Sequence, residues 1–163
     1  MRVLKLIARL VKNGWRDKLK LPLSTTELLE YLPHKPPMVW IDEVVEFSDS
    51  QIVCSVSLKS DAHYFSHEGI RPSSFIEFMA QGYAFGSIAR NLFQSSTQKV
   101  SKAFLVGVTQ AKFEEPSKLP RTGTLEVKLE TERTMLPIIL FKGMVFDEND
   151  RLLAEARLKV YTD

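Results

Sequence analysis

The chain reads as one α+β domain in which an antiparallel sheet curls around a single long helix. Three observations predict this: a helical stretch that is apolar on nearly all sides, two β-like runs before it, and four after it. The stretch is PSSFIEFMAQGYAFGSIARNLF, residues Pro72 to Phe93. Pro72 suits the first turn, where its fixed φ helps and its missing N–H costs nothing. Phe75, Ile76, Phe78, Met79, Tyr83, Phe85, Ile88, Leu92 and Phe93, with small residues between them, cover most of the circumference. A helix of this kind is buried on most sides. At about 1.5 Å per residue it spans roughly 33 Å, the width of a small domain, so the rest of the chain wraps around it. Glu77 and Gln81 are the polar residues that stand out against this surface, one turn apart on one face. A carboxylate in such surroundings is costly unless it is paired or used; the alternative is a rim position favoured by the helix dipole.

Composition sets the outer bounds. With 163 residues, 44% hydrophobic and 26% charged, the chain has the make-up of an ordinary globular domain. A net charge of +2 points to no nucleic-acid partner. The single cysteine, Cys54, lies in an apolar alternating run and reads as a packing residue, so no disulfide framework is expected and a reducing, cytoplasmic setting fits. Three separated histidines lack metal-ligand spacing, and no metal or other cofactor is expected.

Taken in order, residues 1–20 form a basic amphipathic stretch set apart from the rest, and the domain proper is read as 23–163 after an extension of 1–22. Arg2, Lys5, Arg9, Lys12 and Arg16 recur on one helical face, with Val3, Leu4, Ile7, Leu10, Val11 and Trp15 on the other. Such a segment attaches to an anionic membrane surface or an acidic partner, or docks on its own domain. Ser24 and Glu27 make a capping box opening a short helix, TELLEYL, which Pro33, Pro36 and Pro37 end, leaving His34 in an ordered loop. Met38 to Phe47 and Gln51 to Lys59 alternate as a hairpin. The polar segment SDAHYFSHEGIR, read as a loop, carries His63 and His67 to the helix. Strands follow at Lys102 to Phe113, Gly123 to Arg133, Ile138 to Phe146 and Leu152 to Tyr161, separated by prolines and by the polar turn Asp147 to Asp150.

Four motifs in this order resemble one family. LPHKPPMVWIDEVVEF is similar to the L-P-H-R-x-P-F-L-L-V-D-R-V opening of FabZ-type 3-hydroxyacyl-[acyl carrier protein] dehydratases, and IEFMAQ to their I-E-A-M-A-Q. VGVTQAKF resembles their G-I-D-x-A-R-F and LLAEARL their V-A-E-A-E-L. The likeness runs from about Leu32 to Tyr161, and the M-x-x-x-D-E-V form looks closest to the ApeP-like dehydratases of aryl polyene clusters. It implies the hot-dog fold, a dimer of like or unlike hot-dog chains with sheets joined edge to edge, and an acyl chain carried on the phosphopantetheine of an acyl carrier protein. One motif departs: where the family places its catalytic histidine in G-H-F-P-G, this chain has the shorter YFSHEGIRP. His67 follows the aromatic pair as the family histidine does but lies nearer Glu77; His63 has the family's separation but precedes the aromatics.

The resemblance carries Glu77 over directly, and His34 of the L-P-H motif stands as the base, with His67 as runner-up. Dehydration removes a weakly acidic C2 proton and expels hydroxide from C3. A neutral histidine takes the first, and a carboxylic acid kept protonated by burial gives a proton to the second. The amides near Ser73 and Ser74 at the helix N-terminus would polarise the thioester carbonyl, and Met38 and Gln81 would line the acyl channel. Two other readings stay open: a thioesterase on the same fold, and a non-catalytic subunit that binds acyl chains or stabilises a hot-dog partner.

Overall fold

The computed structural model describes residues 20–32, 34–94 and 103–162. The basic stretch of residues 1–20 therefore falls, up to residue 19, outside the described residues. The strands are β1 (Leu23–Ser24), β2 (Glu43–Phe47), β3 (Gln51–Ser57), β4 (Phe65–Ser66) and β5 (Gly69–Ile70) before the helix α1 (Pro72–Gln94). After it come β6 (Ala103–Phe113), β7 (Thr124–Met135), β8 (Ile138–Phe146) and β9 (Leu152–Thr162). Seven strands make one antiparallel sheet in the order β1-β2-β3-β7-β8-β9-β6, and β4 and β5 form a separate small hairpin.

The sheet's alternation is what seats α1. Ile52, Cys54 and Val56 of β3 pair with Leu129, Val127 and Leu125 of β7, and all point into the core. Leu129 and Val127 pair in turn with Gly143 and Val145 of β8, which face Ala156 and Ala154 of β9. This inner surface is lined by small residues where the helix crosses it. Gly82 approaches Leu129, Cys54 and Val127, and Gly86 lies so close to Ile52 that an added Cβ would overlap its Cγ2. Met79 fills the space above Gly143. Tyr83 stacks on Phe141 at 4.1 Å between ring centroids, and its hydroxyl reaches Thr131 Oγ1 at 3.3 Å. Within α1 only Ser73 and Gln94, near its two ends, are exposed.

Three local expectations are corrected. The segment after Ser24 is two 3₁₀ turns, Thr25–Glu27 and Leu29–Tyr31, rather than one α-helix. The Ser24 hydroxyl accepts from the Thr26 N–H at 3.3 Å, not from Glu27, while the Thr25 hydroxyl is drawn off to donate to the Ile41 carbonyl at 2.6 Å. β2 begins at Glu43 and not at Met38, because the backbone of Met38, Trp40 and Ile41 is bonded to side chains of Gln81 and Thr25 instead of to β3. The polar stretch before α1 contains the β4–β5 hairpin and a fully buried Tyr64, whose hydroxyl accepts from the Lys59 N–H at 2.8 Å.

The two borders of the large sheet differ. β1 is two residues long, whereas β6 runs for eleven, pairs on one side with β9, and leaves Phe104, Leu105, Val106, Val108 and Phe113 exposed.

Candidate active site

Three segments converge at the N-terminal end of α1. The proline-rich loop brings His34, Met38 and Trp40; the stretch before the helix brings His63 and Arg71; the first two turns of α1 bring Ser73, Ser74 and Glu77. Together they line a cleft of about 440 Å³. A second, smaller cleft of about 240 Å³ adjoins it, with Trp40 and His63 common to both.

The loop is tied down along its length. The Lys35 ammonium donates to the Leu29 carbonyl at 2.9 Å, Met38 N–H to the Lys35 carbonyl at 2.9 Å, and the Trp40 indole N–H to the Pro37 carbonyl at 3.2 Å. The Trp40 ring stands edge-on to Tyr64 and Phe78, at 5.5 and 5.8 Å between centroids. Farther on, Asp42 Oδ2 accepts from the Ser57 N–H at 2.7 Å and Oδ1 meets the Lys59 ammonium at 2.8 Å. A rigid loop is what a base aimed at one proton needs.

His34 Nε2 lies 3.5 Å from Glu77 Oε1, with the two side chains 36% and 34% exposed. Nδ1 of His34 is buried and has no hydrogen-bond partner among the described residues, so Nε2 is the nitrogen that meets the carboxylate. Glu77 is thus a half-buried residue of the cleft wall, not the enclosed carboxyl that the apolar helix suggested. Its partner on the protein side is Gln81, whose Nε2 donates to Glu77 Oε1 at 2.7 Å.

The other expected residues divide. Met38 and Ser73 face the cleft. Ser74 lines it too, but its N–H is spent on the Arg71 carbonyl at 2.9 Å and its hydroxyl on the Tyr64 carbonyl at 3.4 Å, so among the described residues the Ser73 N–H is the one of these two amides without such a bond. Gln81 is 1% exposed and lies behind the wall rather than on it. The His67 side chain is 91% exposed, its ring lies 3.7 Å from Glu68, and it is not among the residues that line the cleft with His34 and Glu77. It sits in the β4–β5 turn, which the Ser66 hydroxyl closes by donating to the Gly69 carbonyl at 3.1 Å.

His63, which precedes the aromatic pair, is the histidine of that segment that reaches the cleft. Trp40 and Arg71 are cleft residues that sequence reasoning passed over. The signal for Arg71 was its place immediately before the helix-opening Pro72; its guanidinium donates to the His63 carbonyl at 3.2 Å and so holds that histidine's backbone beside the cleft. Among the described residues no group of three His, Cys, Asp or Glu side chains is placed to hold a metal ion.

Comparison with known proteins bears on the family and the fold. The model of the ApeP-like family, described as ApeP dehydratase, matches residues 26–163. The 3-hydroxyacyl-[acyl-carrier-protein] dehydratase FabZ of Bordetella parapertussis is 27% identical over 143 residues, covering 83% of this chain and 93% of that protein. Among solved structures, the dehydratase heterocomplex ApeI:P from Xenorhabdus doucetiae superposes with a TM-score of 0.73 at 21% identity, over 89% of this chain and 93% of that one. A mutant of the thioesterase PA1618 from Pseudomonas aeruginosa gives 0.60 at 13% identity, over 88% and 95%. The E. coli PaaI protein gives 0.56 at 13%, over 76% and 79%. These neighbours share the hot-dog fold, a sheet wrapped on one long helix.

Proposed function

The chain belongs to the ApeP-like dehydratase family, and from that premise we propose that its cleft removes water from 3-hydroxyacyl thioesters carried on the phosphopantetheine of an acyl carrier protein, giving trans-2-enoyl thioesters. The observation that carries the reading is the pairing of His34 Nε2 with Glu77 Oε1, 3.5 Å apart on the wall of a cleft at a helix N-terminus. The FabZ relatives, whose name states this activity, support the substrate class.

In the proposed reaction the free N–H of Ser73 polarises the thioester carbonyl and holds the charge that develops on it. His34 Nε2 takes the C2 proton; the C2–H electron pair becomes the C2=C3 double bond, the C3–O bond breaks, and Glu77 gives its proton to the departing oxygen, which leaves as water. An imidazolium and a carboxylate remain as close neighbours, and transfer of one proton between them restores the starting pair. Met38 and Trp40 supply the apolar wall against which the acyl chain lies.

Assembly follows the same reading. We take the free edge of β6, with its exposed apolar side chains, as the seam to a second hot-dog chain, like or unlike. The structural neighbour ApeI:P, a dehydratase heterocomplex, supports an assembly of unlike chains.

The test is incubation of the purified protein with a 3-hydroxyacyl or a 2-enoyl thioester. Interconversion of the two is the expected result. Release of free thiol without it would make the chain a thioesterase, and silence until another hot-dog subunit is added would make it the stabilising member of a pair.

A further inference from the structure

Gln81 is the most completely committed polar side chain of the site. A primary amide has two N–H donors and one oxygen acceptor. Here one N–H goes to the Met38 carbonyl at 2.8 Å, the other to Glu77 Oε1 at 2.7 Å, and the oxygen accepts from the Trp40 N–H at 2.9 Å. Both donors are used, so Gln81 has none to offer a substrate. The arrangement also admits one amide orientation: turned over, the oxygen would face the Met38 and Glu77 oxygens, and the NH₂ would face the Trp40 N–H.

We propose that Gln81 is the positioning residue of the reaction, holding Glu77 by Oε1 so that its second oxygen is the one presented to substrate, and making that pose depend on the closed Met38–Trp40 segment. Three facts carry this. The bond to Glu77 is short and joins an amide N–H to a carboxyl oxygen, the stronger kind of hydrogen bond when that group is ionised. Gln81 and Glu77 are one turn apart on α1, so the helix itself fixes their relation. The remaining two bonds go to the same loop that carries His34, so a single buried amide sets both members of the His34–Glu77 pair at once.

This role rests on the dehydratase reading, and the two are separable by experiment. Gln81→Met keeps the length and removes all three bonds; Gln81→Glu keeps the shape and the acceptor for Trp40 while setting oxygens against Glu77 and the Met38 carbonyl. Each is measured for kcat and KM, alone and combined with Glu77→Gln, with melting temperature checked throughout. The expected result is a fall in kcat of at least about tenfold with KM changed by less than about threefold. In the Glu77→Gln background the same substitutions should cost little more, since the group they position is gone. If Gln81→Met does not fold, Gln81→Glu carries the test. A fall in kcat that multiplies with that of Glu77→Gln, or a rise in KM in place of the fall in kcat, would make Gln81 a structural clamp only. Absence of turnover in the wild-type protein, with and without a second hot-dog subunit, would instead remove the dehydratase reading, and the positioning role with it.

Discussion

The two halves of α1 are built from different chemistry. From Ser73 to Gln81 its polar groups face a cleft or the loop beside it: Ser73 and Glu77 line the opening, and Gln81 reaches back to Met38 and Trp40. From Gly82 onward it is a packing element. Gly82 and Gly86 let the backbone sink onto β3 and β7, Phe93 meets Phe47 edge-on at 5.2 Å, and Arg90 pins the β2–β3 turn through the Ser48 and Asp49 carbonyls. One continuous helix thus holds reactive groups at one end by anchoring itself at the other. Changes to the polar groups of the first half should cost turnover and spare stability, and changes in the second half should do the reverse.

Glu77→Gln is the sharpest probe of the first half. The amide is nearly the same size and still touches Gln81, so the melting temperature should hold while turnover falls by at least about a hundredfold. Wild-type activity would take Glu77 out of the mechanism. Next is His34→Asn, which retains polarity without an imidazole; its turnover should drop about ten- to a hundredfold, again with little change in melting temperature. A variant that loses stability in proportion to activity would make His34 a loop-tying residue.

The second half is probed by Gly86→Ala. The new methyl would overlap Ile52 Cγ2, close to the branch point of a stiff β-branched side chain, so the helix must lift or the strand must shift. The overlap should outweigh the gain in helix propensity and destabilise the fold by about 1–3 kcal/mol, read by denaturant titration, while the folded fraction keeps its kcat. Gly143→Ala meets the flexible Met79 instead and should cost less. Equal losses at the two glycines would argue against a seat localised at Gly86. The smallest effect belongs to His67→Asn: with its ring in solvent, turnover should stay within about twofold of wild type. A dead variant would mean that this side chain completes a site formed with another chain.

The sequence signalled the C-terminal half of this contrast less clearly than the N-terminal half. The extent of α1 was legible because Pro72 opens it and no second proline interrupts it, and the four later strands were legible from their alternation. Glu77 stood out because it interrupts an apolar surface. What could not be read were facts of three-dimensional pairing. Nothing in the order of residues says that the Gln81 amide will take the Met38 carbonyl and the Trp40 N–H, bonds that stop β2 from starting at Met38. Nor does spacing along the chain decide between His63 and His67. That is settled by a hairpin of two residues per strand, whose turn sends one ring outward, while the Arg71 bond to the His63 carbonyl keeps the other at the cleft.

Where the two halves meet lies the chain's sole thiol. Cys54 is completely buried under α1, its Sγ 3.6 Å from the Gly82 carbonyl, and burial pushes its pKa up to about 12. A thiol of this kind is nearly inert to alkylating agents while the helix lies on the sheet, since the thiolate is the reactive form and no path leads to it. Its rate of modification is therefore a clock for the lifting of α1, needing no engineered label. A substitution that loosens the glycine seat should make the clock run faster, and one that alters only Glu77 should leave it unchanged.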